Sequence, residues 1–192
     1  MKKLIKAASL IVTVLTISSC AEFSFSKKEV RNLDYLDKSV KMDFKKFFDG
    51  DLEGFAIKQD SAGKIIETFT TKINGKWEEN RGVLQFSYRG SDSAKSSRTW
   101  LITTNADGSF EGVGHDAIKS LVGKQEGNAA QMIYSLNIKD SKGLKEEFGF
   151  EDKIYLVDEK SAIIISEFQS KKSSKGAAGK IILSIKKTSA QQ

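Results

Sequence analysis

From Glu53 onward the chain is a succession of short runs in which apolar and polar side chains alternate, separated by clusters of Gly, Asn, Asp and Ser. A period of two puts every second side chain on one face, the mark of a strand with one dry and one wet side. The clearest unit is Arg98 to Leu136. Arg98-Thr99-Trp100-Leu101-Ile102 leads to a turn at Asn105-Ala106-Asp107-Gly108, and Phe110-Glu111-Gly112-Val113-Gly114 returns antiparallel. A loop from Asp116 to Gly127 then precedes Met132-Ile133-Tyr134-Ser135-Leu136. The same grammar predicts strands at 54–59, 64–73, 82–89, 97–104, 108–115, 129–138, 144–156 (one run, or two joined near Asp152), 161–169 and 179–187. Turns are expected at Asp60-Ser61-Ala62-Gly63, Asn74-Gly75, Gly90-Ser91-Asp92, Asp107-Gly108, Asp140-Ser141-Lys142-Gly143, Asp158-Glu159-Lys160 and Ser173-Ser174-Lys175-Gly176.

Ile65, Phe69 and Ile73 share one face, as do Leu84, Phe86 and Tyr88, Trp100 and Ile102, and Phe148, Phe150 and Ile154. One apolar face per strand, over about eight to ten strands joined by short turns, describes a single sheet wrapped round one core. The expected fold is all-β, a single antiparallel up-and-down barrel, with two stacked open sheets as the alternative. Closure also removes edge strands, which otherwise invite aggregation. The loop from Asp116 to Gly127 fits a barrel mouth. Ahead of the strands, Phe44, Phe47 and Phe48 stand at i, i+3, i+4 in a short helical turn closing at Gly50, more naturally a plug or lid than a cofactor box.

The beginning of the chain is different. Lys2, Lys3 and Lys6 precede the uncharged, mostly apolar run Ala7 to Ile17, the pattern of a signal peptide; a spanning helix needs about 20 apolar residues. Ile17-Ser18-Ser19-Cys20 resembles the lipobox of bacterial lipoproteins, which implies cleavage after Ser19, a diacylglyceryl thioether on Cys20 and an acylated amine. Two or three acyl chains would make such an anchor effectively permanent. An aspartate after the cysteine commonly marks inner-membrane retention. Ala21 stands there, so the resemblance implies an outer-membrane anchor in the cell envelope, facing the periplasm. The expected layout is a signal peptide at 1–19, a lipidated tether at 20–42, the barrel at 43–188 and a polar tail at 189–192.

Charge and composition then narrow the field. The formal charge of +6 includes the three leader lysines; without them 28 basic face 25 acidic side chains, too small an excess to argue for nucleic acid. One cysteine excludes an internal disulfide, and one histidine excludes a metal site or an acid/base pair built from two. His115 beside Asp116 suggests a dyad, but neighbours on a strand point to opposite faces. After Glu167 every charged residue is a lysine (Lys171, Lys172, Lys175, Lys180, Lys186, Lys187), suited to anionic lipid or, more commonly, to protecting a strand edge.

The series Phe47-Phe48-Asp49-Gly50, Asp60 with Gly63, Gly75 with Trp77, Phe86 with Tyr88 and Gly90, Arg98 with Trp100, Gly108-Ser109-Phe110-Glu111-Gly112, Gly127-Asn128-Ala129, and Tyr134 with Leu136 resembles domain of unknown function 3833, a family of bacterial lipoproteins. The likeness runs from about Phe47 to Lys187, with the lipobox in front. It implies a periplasmic lipoprotein with a lipocalin-like, calycin-type barrel, and it brings no established activity or catalytic residues. The chain departs from the family pattern where Ser61 follows Asp60 in place of an arginine, where Glu151-Asp152-Lys153 replaces Asp-Asp-Trp, and in a longer stretch from Asp116 to Gly127.

The residues expected to line the barrel are Trp100, Tyr134, Phe148 and Phe150, with Arg98 as a cation near the mouth that could hold a fatty-acid carboxylate. The plainer alternative is a solid aromatic core with Arg98 paired to Asp116 or Asp152. Asn128 reads as a turn residue. Asp60, Asp116 and Asp152 form a possible polar cluster only through the family pattern. With no nucleophile motif, metal-ligand spacing or phosphate loop beside them, neither an enzyme nor a cofactor is expected. The leading reading is a lipid-anchored module that binds or carries an apolar, lipid- or fatty-acid-like ligand. A structural or assembly lipoprotein with a solid barrel is the alternative, its protein partner unknown, and a carboxylate enzyme comes third.

Overall fold

The computed structural model describes residues 40–91, 95–139, 143–172 and 177–188. The signal peptide, Cys20, nearly all of the expected tether and the polar tail lie outside the described residues, as do Asp92, Asp140 to Lys142 and Ser173 to Gly176 of three expected turns. Among the described residues no helix is long and apolar enough to cross a membrane.

One short helix, α1 (Phe44–Phe48), precedes ten strands: β1 (Gly50–Asp60), β2 (Ile65–Glu78), β3 (Arg81–Gly90), β4 (Lys95–Thr104), β5 (Ser109–Gly114), β6 (Ala117–Glu126), β7 (Ala129–Lys139), β8 (Lys145–Leu156), β9 (Ser161–Ser170) and β10 (Ala178–Lys187). Each pairs antiparallel with the next, and β1 pairs with β10 from Leu52–Lys187 to Asp60–Gly179, so the meander closes into a barrel. None of the described strands keeps a free edge. The lysines of β10 therefore do not guard an edge: Lys180 reaches Glu167 at 3.3 Å, and Lys187 donates to the carbonyls of Lys46 and Asp49 at the end of α1.

The largest departure from the sequence reading is β6, which occupies the stretch expected to be a mouth loop. Its inward face carries Leu121 and then Gly123, too little apolar volume to show a period, and two register shifts against β7 disturb the alternation further. Gly123 is small because Phe110 fills the space beside it: a Cβ there would lie 2.2 Å from Phe110 Cε2. The missing side chain belongs in effect to the neighbouring strand.

Other differences are local. The expected turn at Asn74-Gly75 lies inside β2, which continues to Glu78; the chain reverses at Glu79 (φ 51°) and Asn80. Gly75 is needed for close approach instead, since a Cβ would stand 1.6 Å from the Phe48 carbonyl oxygen. β8 runs unbroken through Asp152. A register shift where Lys58 gives way to Gln59 separates the exposed Ile65 from the face of Phe69 and Ile73. Met42, at the end of the expected tether, is buried, and its N–H donates to the Gly127 carbonyl.

The two barrel ends are built differently. At the base, Asp43 caps α1 by accepting from the Lys46 N–H, and Phe44, Phe47 and Phe48 are all buried. Phe44 stacks on Phe110 (4.2 Å between centroids) and meets Phe48 at 4.6 Å and Trp77 edge-on at 6.3 Å. The helix is a plug. Burying each phenylalanine is worth on the order of 1.5–3 kcal/mol, so packing rather than helix propensity holds so short a helix in place.

Candidate functional site

Above the plug the barrel is hollow. A cavity of about 670 Å³ runs from a floor of Phe44 and Phe48 to the opposite end, where Asp60, Ser61, Glu67, Lys95 and Ala177 stand at the rim. This volume suits a small molecule. The solid-core alternative is set aside by the interior, which the inward faces of ten strands enclose without filling.

The lining follows directly from strand parity. Trp100, Tyr134, Phe148 and Phe150 occupy alternate inward positions, and Phe69, Phe86, Tyr88 and Phe168, on other strands, complete an aromatic wall. Tyr134 and Phe150 are cross-strand partners with rings stacked 5.1 Å apart, and Trp100 packs edge-on to Tyr134 at 5.3 Å. Phe168 continues the row, 6.1 Å from Phe150, with Lys58 Nζ 5.4 Å from its ring centroid.

Polar side chains interrupt this wall, Arg98 and Asp152 among them. Arg98 Nε donates to Asp116 Oδ2 at 2.9 Å, and Arg98 itself faces the cavity beside Tyr88. Asp152 is 7% exposed; its Oδ2 accepts from the Tyr134 hydroxyl at 2.9 Å, with Ser166 opposite on β9. Burial pushes the Asp152 carboxyl up to about 6, opposed by hydrogen bonding from Ser166 and Tyr134 and by the charge of Arg98. Burial likewise pushes Tyr88 up to about 12 and Tyr134 well above the usual phenol range, so both are neutral donors at physiological pH. Burial works against the charge on Arg98, but the phenolates that Tyr88 and Tyr134 become at the high pH where an arginine titrates, together with Asp116, outweigh it and hold the guanidinium above its ordinary value.

Asp152 feels the charge of Arg98, and through it the cluster extends to Asp116. Asp60 plays another part. It stands at the rim, where its Oδ1 accepts from the N–H groups of Ala62 and Lys64 and so caps the β1–β2 turn. Asn128 closes the β6–β7 turn and donates to the Leu156 carbonyl. His115 is exposed in the β5–β6 turn. Among the described residues no group of three or more His, Cys, Asp or Glu side chains is placed to hold a metal ion.

Sequence reasoning missed Ser166 and Lys58, whereas the plug formed by Phe44 and Phe48 was expected. Ser166 follows the apolar run Ala162 to Ile165, and only the cross-strand register with Asp152 gives it meaning. Tyr88 was visible as an inward residue by alternation, but its place beside Arg98 depends on the pairing of β3 with β4.

The barrel is similar to the S-type phycobiliprotein lyase CPES from Guillardia theta, with a TM-score of 0.56 over 78% of this chain and 95% of that one, at 10% identity. At that identity the likeness speaks for the fold alone, and the fold is of the lipocalin-like, calycin type. A weaker similarity, TM-score 0.42 at 8% identity over 74% of this chain and 94% of the other, is to EF1p2_mFAP2b bound to DFHBI. No curated protein matches the chain. The family model described as protein of unknown function (DUF3833) matches residues 15–187, and the chain belongs to that family.

Proposed function

We propose that this protein is an envelope-tethered binding module that holds an apolar molecule bearing a small polar group inside its barrel, and that its task is binding or carriage rather than turnover. The observation that supports this reading is the cavity: about 670 Å³, walled by aromatic rings, plugged at one end, and interrupted at Arg98 and Asp152. The apolar body would lie along Trp100, Phe150 and Ile164 towards the floor, and the polar end beside Arg98, Tyr88 and Asp152. In this reading lipid on Cys20 holds the protein to the outer membrane, facing the periplasm, as the lipobox and Ala21 imply.

The test uses the full chain carrying Cys20→Ala, purified without detergent. Native mass spectrometry is expected to show added mass from a retained small molecule, and the emptied protein to take up the neutral apolar dye N-phenyl-1-naphthylamine. A clean apo mass together with no dye uptake would remove the binding reading. Cys20→Ala is also expected to abolish incorporation of labelled palmitate and release the protein from membranes; unchanged labelling would remove the anchor and leave the barrel reading intact.

A further inference from the structure

The protein leaves part of its own cavity chemistry unsatisfied. Asp152 Oδ1 is buried on a residue of the cavity lining and has no hydrogen-bond partner: Tyr134 engages Oδ2 of the same carboxylate, and Ser166, close enough to favour the ionised form, does not meet Oδ1 in hydrogen-bond geometry. A buried acceptor without a donor is costly, and native structures seldom keep one without a use for it. Asp116 Oδ1 is also unpartnered, but Asp116 is not part of the lining and its other oxygen already takes the Arg98 Nε–H.

The charges near Oδ1 limit what can fill the place. Arg98 does not stand free for a fatty-acid carboxylate, because Asp116 is bound to it and Asp152 lies within its field. Beside Asp152 an anionic head would meet two carboxylates and one guanidinium, while the lysines of the lining, Lys58 and Lys95, stand on the rim side of the cavity, Lys58 paired with Glu67. A quaternary cation would meet Arg98 and offer Oδ1 no hydrogen. In an apolar chamber either mismatch is felt strongly, since a bound ligand occupies the space that screening water would need. An uncharged hydroxyl or amide avoids both repulsions and supplies the missing donor.

We propose that the polar end of the ligand is an uncharged hydrogen-bond donor, an alcohol hydroxyl or an amide N–H, which donates to Asp152 Oδ1 once a small turn of the Asp152 side chain uncovers that oxygen to the cavity, and that the site selects such amphiphiles over free fatty acids. This rests on the binding reading above and names its ligand class. Asp152 is then the specificity-determining residue, and the aromatic wall supplies affinity without discrimination.

The experiment is displacement of N-phenyl-1-naphthylamine from the full Cys20→Ala chain at pH 8 by four ligands of one chain length: 1-decanol, decyl methyl ether, decanoate and decyltrimethylammonium. Decanol is expected to compete about tenfold or more better than each of the other three, the scale of a charge-assisted hydrogen bond to a buried carboxylate. In Asp152→Ala the ratio of alcohol to ether should fall to about threefold or less. The ratio is read within each protein, so a general change in the cavity cancels. Should Asp152→Ala not fold, Asp152→Asn should also lower the ratio, because an uncharged acceptor holds the hydroxyl less strongly. An ether, acid or cation that competes as well as the alcohol overturns the inference, as does a variant that keeps the tenfold ratio. If the native protein takes up no dye, the cavity reading itself fails and this inference falls with it; dye uptake without preference for the alcohol overturns this inference alone.

Discussion

The base and the mouth of this barrel are made by the same ten strands, yet one is solid and the other hollow. At the base, Phe44, Phe48 and Phe110 interlock with Leu52, Ile73 and Leu84, all almost fully buried. Towards the mouth the inward positions pass to Tyr88, Arg98, Tyr134 and Asp152, whose polar ends require partners and therefore spacing. Strand alternation decides only which face a side chain takes. Whether that face is filled depends on what enters from outside the sheet, and among the described residues only the base receives a helix.

The comparison is most severely tested at the plug. Phe48→Ala should cost about 3–5 kcal/mol of stability, read as a lower urea midpoint with an unchanged slope. A loss below about 1 kcal/mol would mean the helix is not integral to the core. Phe69→Ala, on the wall of the chamber, should cost less than this, because the ring is only partly buried.

Asp152 sharpens the contrast from the open half. Its folded value of about 6 lies above the ordinary carboxyl value of 3.8, so between these values the folded state holds more proton than the unfolded one and stability falls as pH rises. Below about pH 4 the penalty is absent, and above about pH 6 it is complete, at roughly 3 kcal/mol from about 1.4 kcal/mol per unit. Asp152→Asn should therefore flatten the urea midpoint between pH 4 and pH 7, making the variant more stable than the native protein at neutral pH and about equal to it at pH 4. A variant whose midpoint keeps the native slope would remove Asp152 as the source.

Smaller effects return to the base. Gly123→Val should cost about 1–3 kcal/mol through overpacking against Phe110, and Phe110→Leu in the same chain should recover part of it; no recovery would mean that the ring is not the obstacle. Lys187→Ala removes two hydrogen bonds to the carbonyls at the end of α1 and should cost about 0.5–1 kcal/mol in the same measurement.

The sequence made most of this architecture readable because most strands carry large inward residues in a clean period of two. Leu84, Phe86 and Tyr88 declare β3, and Phe148, Phe150 and Ile154 declare β8. β6 stayed hidden because its inward face offers Leu121 and a glycine whose volume Phe110 supplies from another strand, a substitution that only three-dimensional pairing reveals. The pairing of Arg98 with Asp116 was among the stated alternatives, since both sit near one hairpin. The unpartnered oxygen of Asp152 was not legible, because it depends on Tyr134 choosing one carboxylate oxygen and on a chamber whose size follows from strand number and closure.

Closure of β1 onto β10 has one more outcome. The segment that enters at Val40 and the segment that leaves at Thr188 both lie beside the plug: the Met42 N–H binds Gly127 there, and the Thr188 N–H binds Asp51. A reporter domain spliced next to either of these residues would start from the stoppered pole rather than from the opposite aperture.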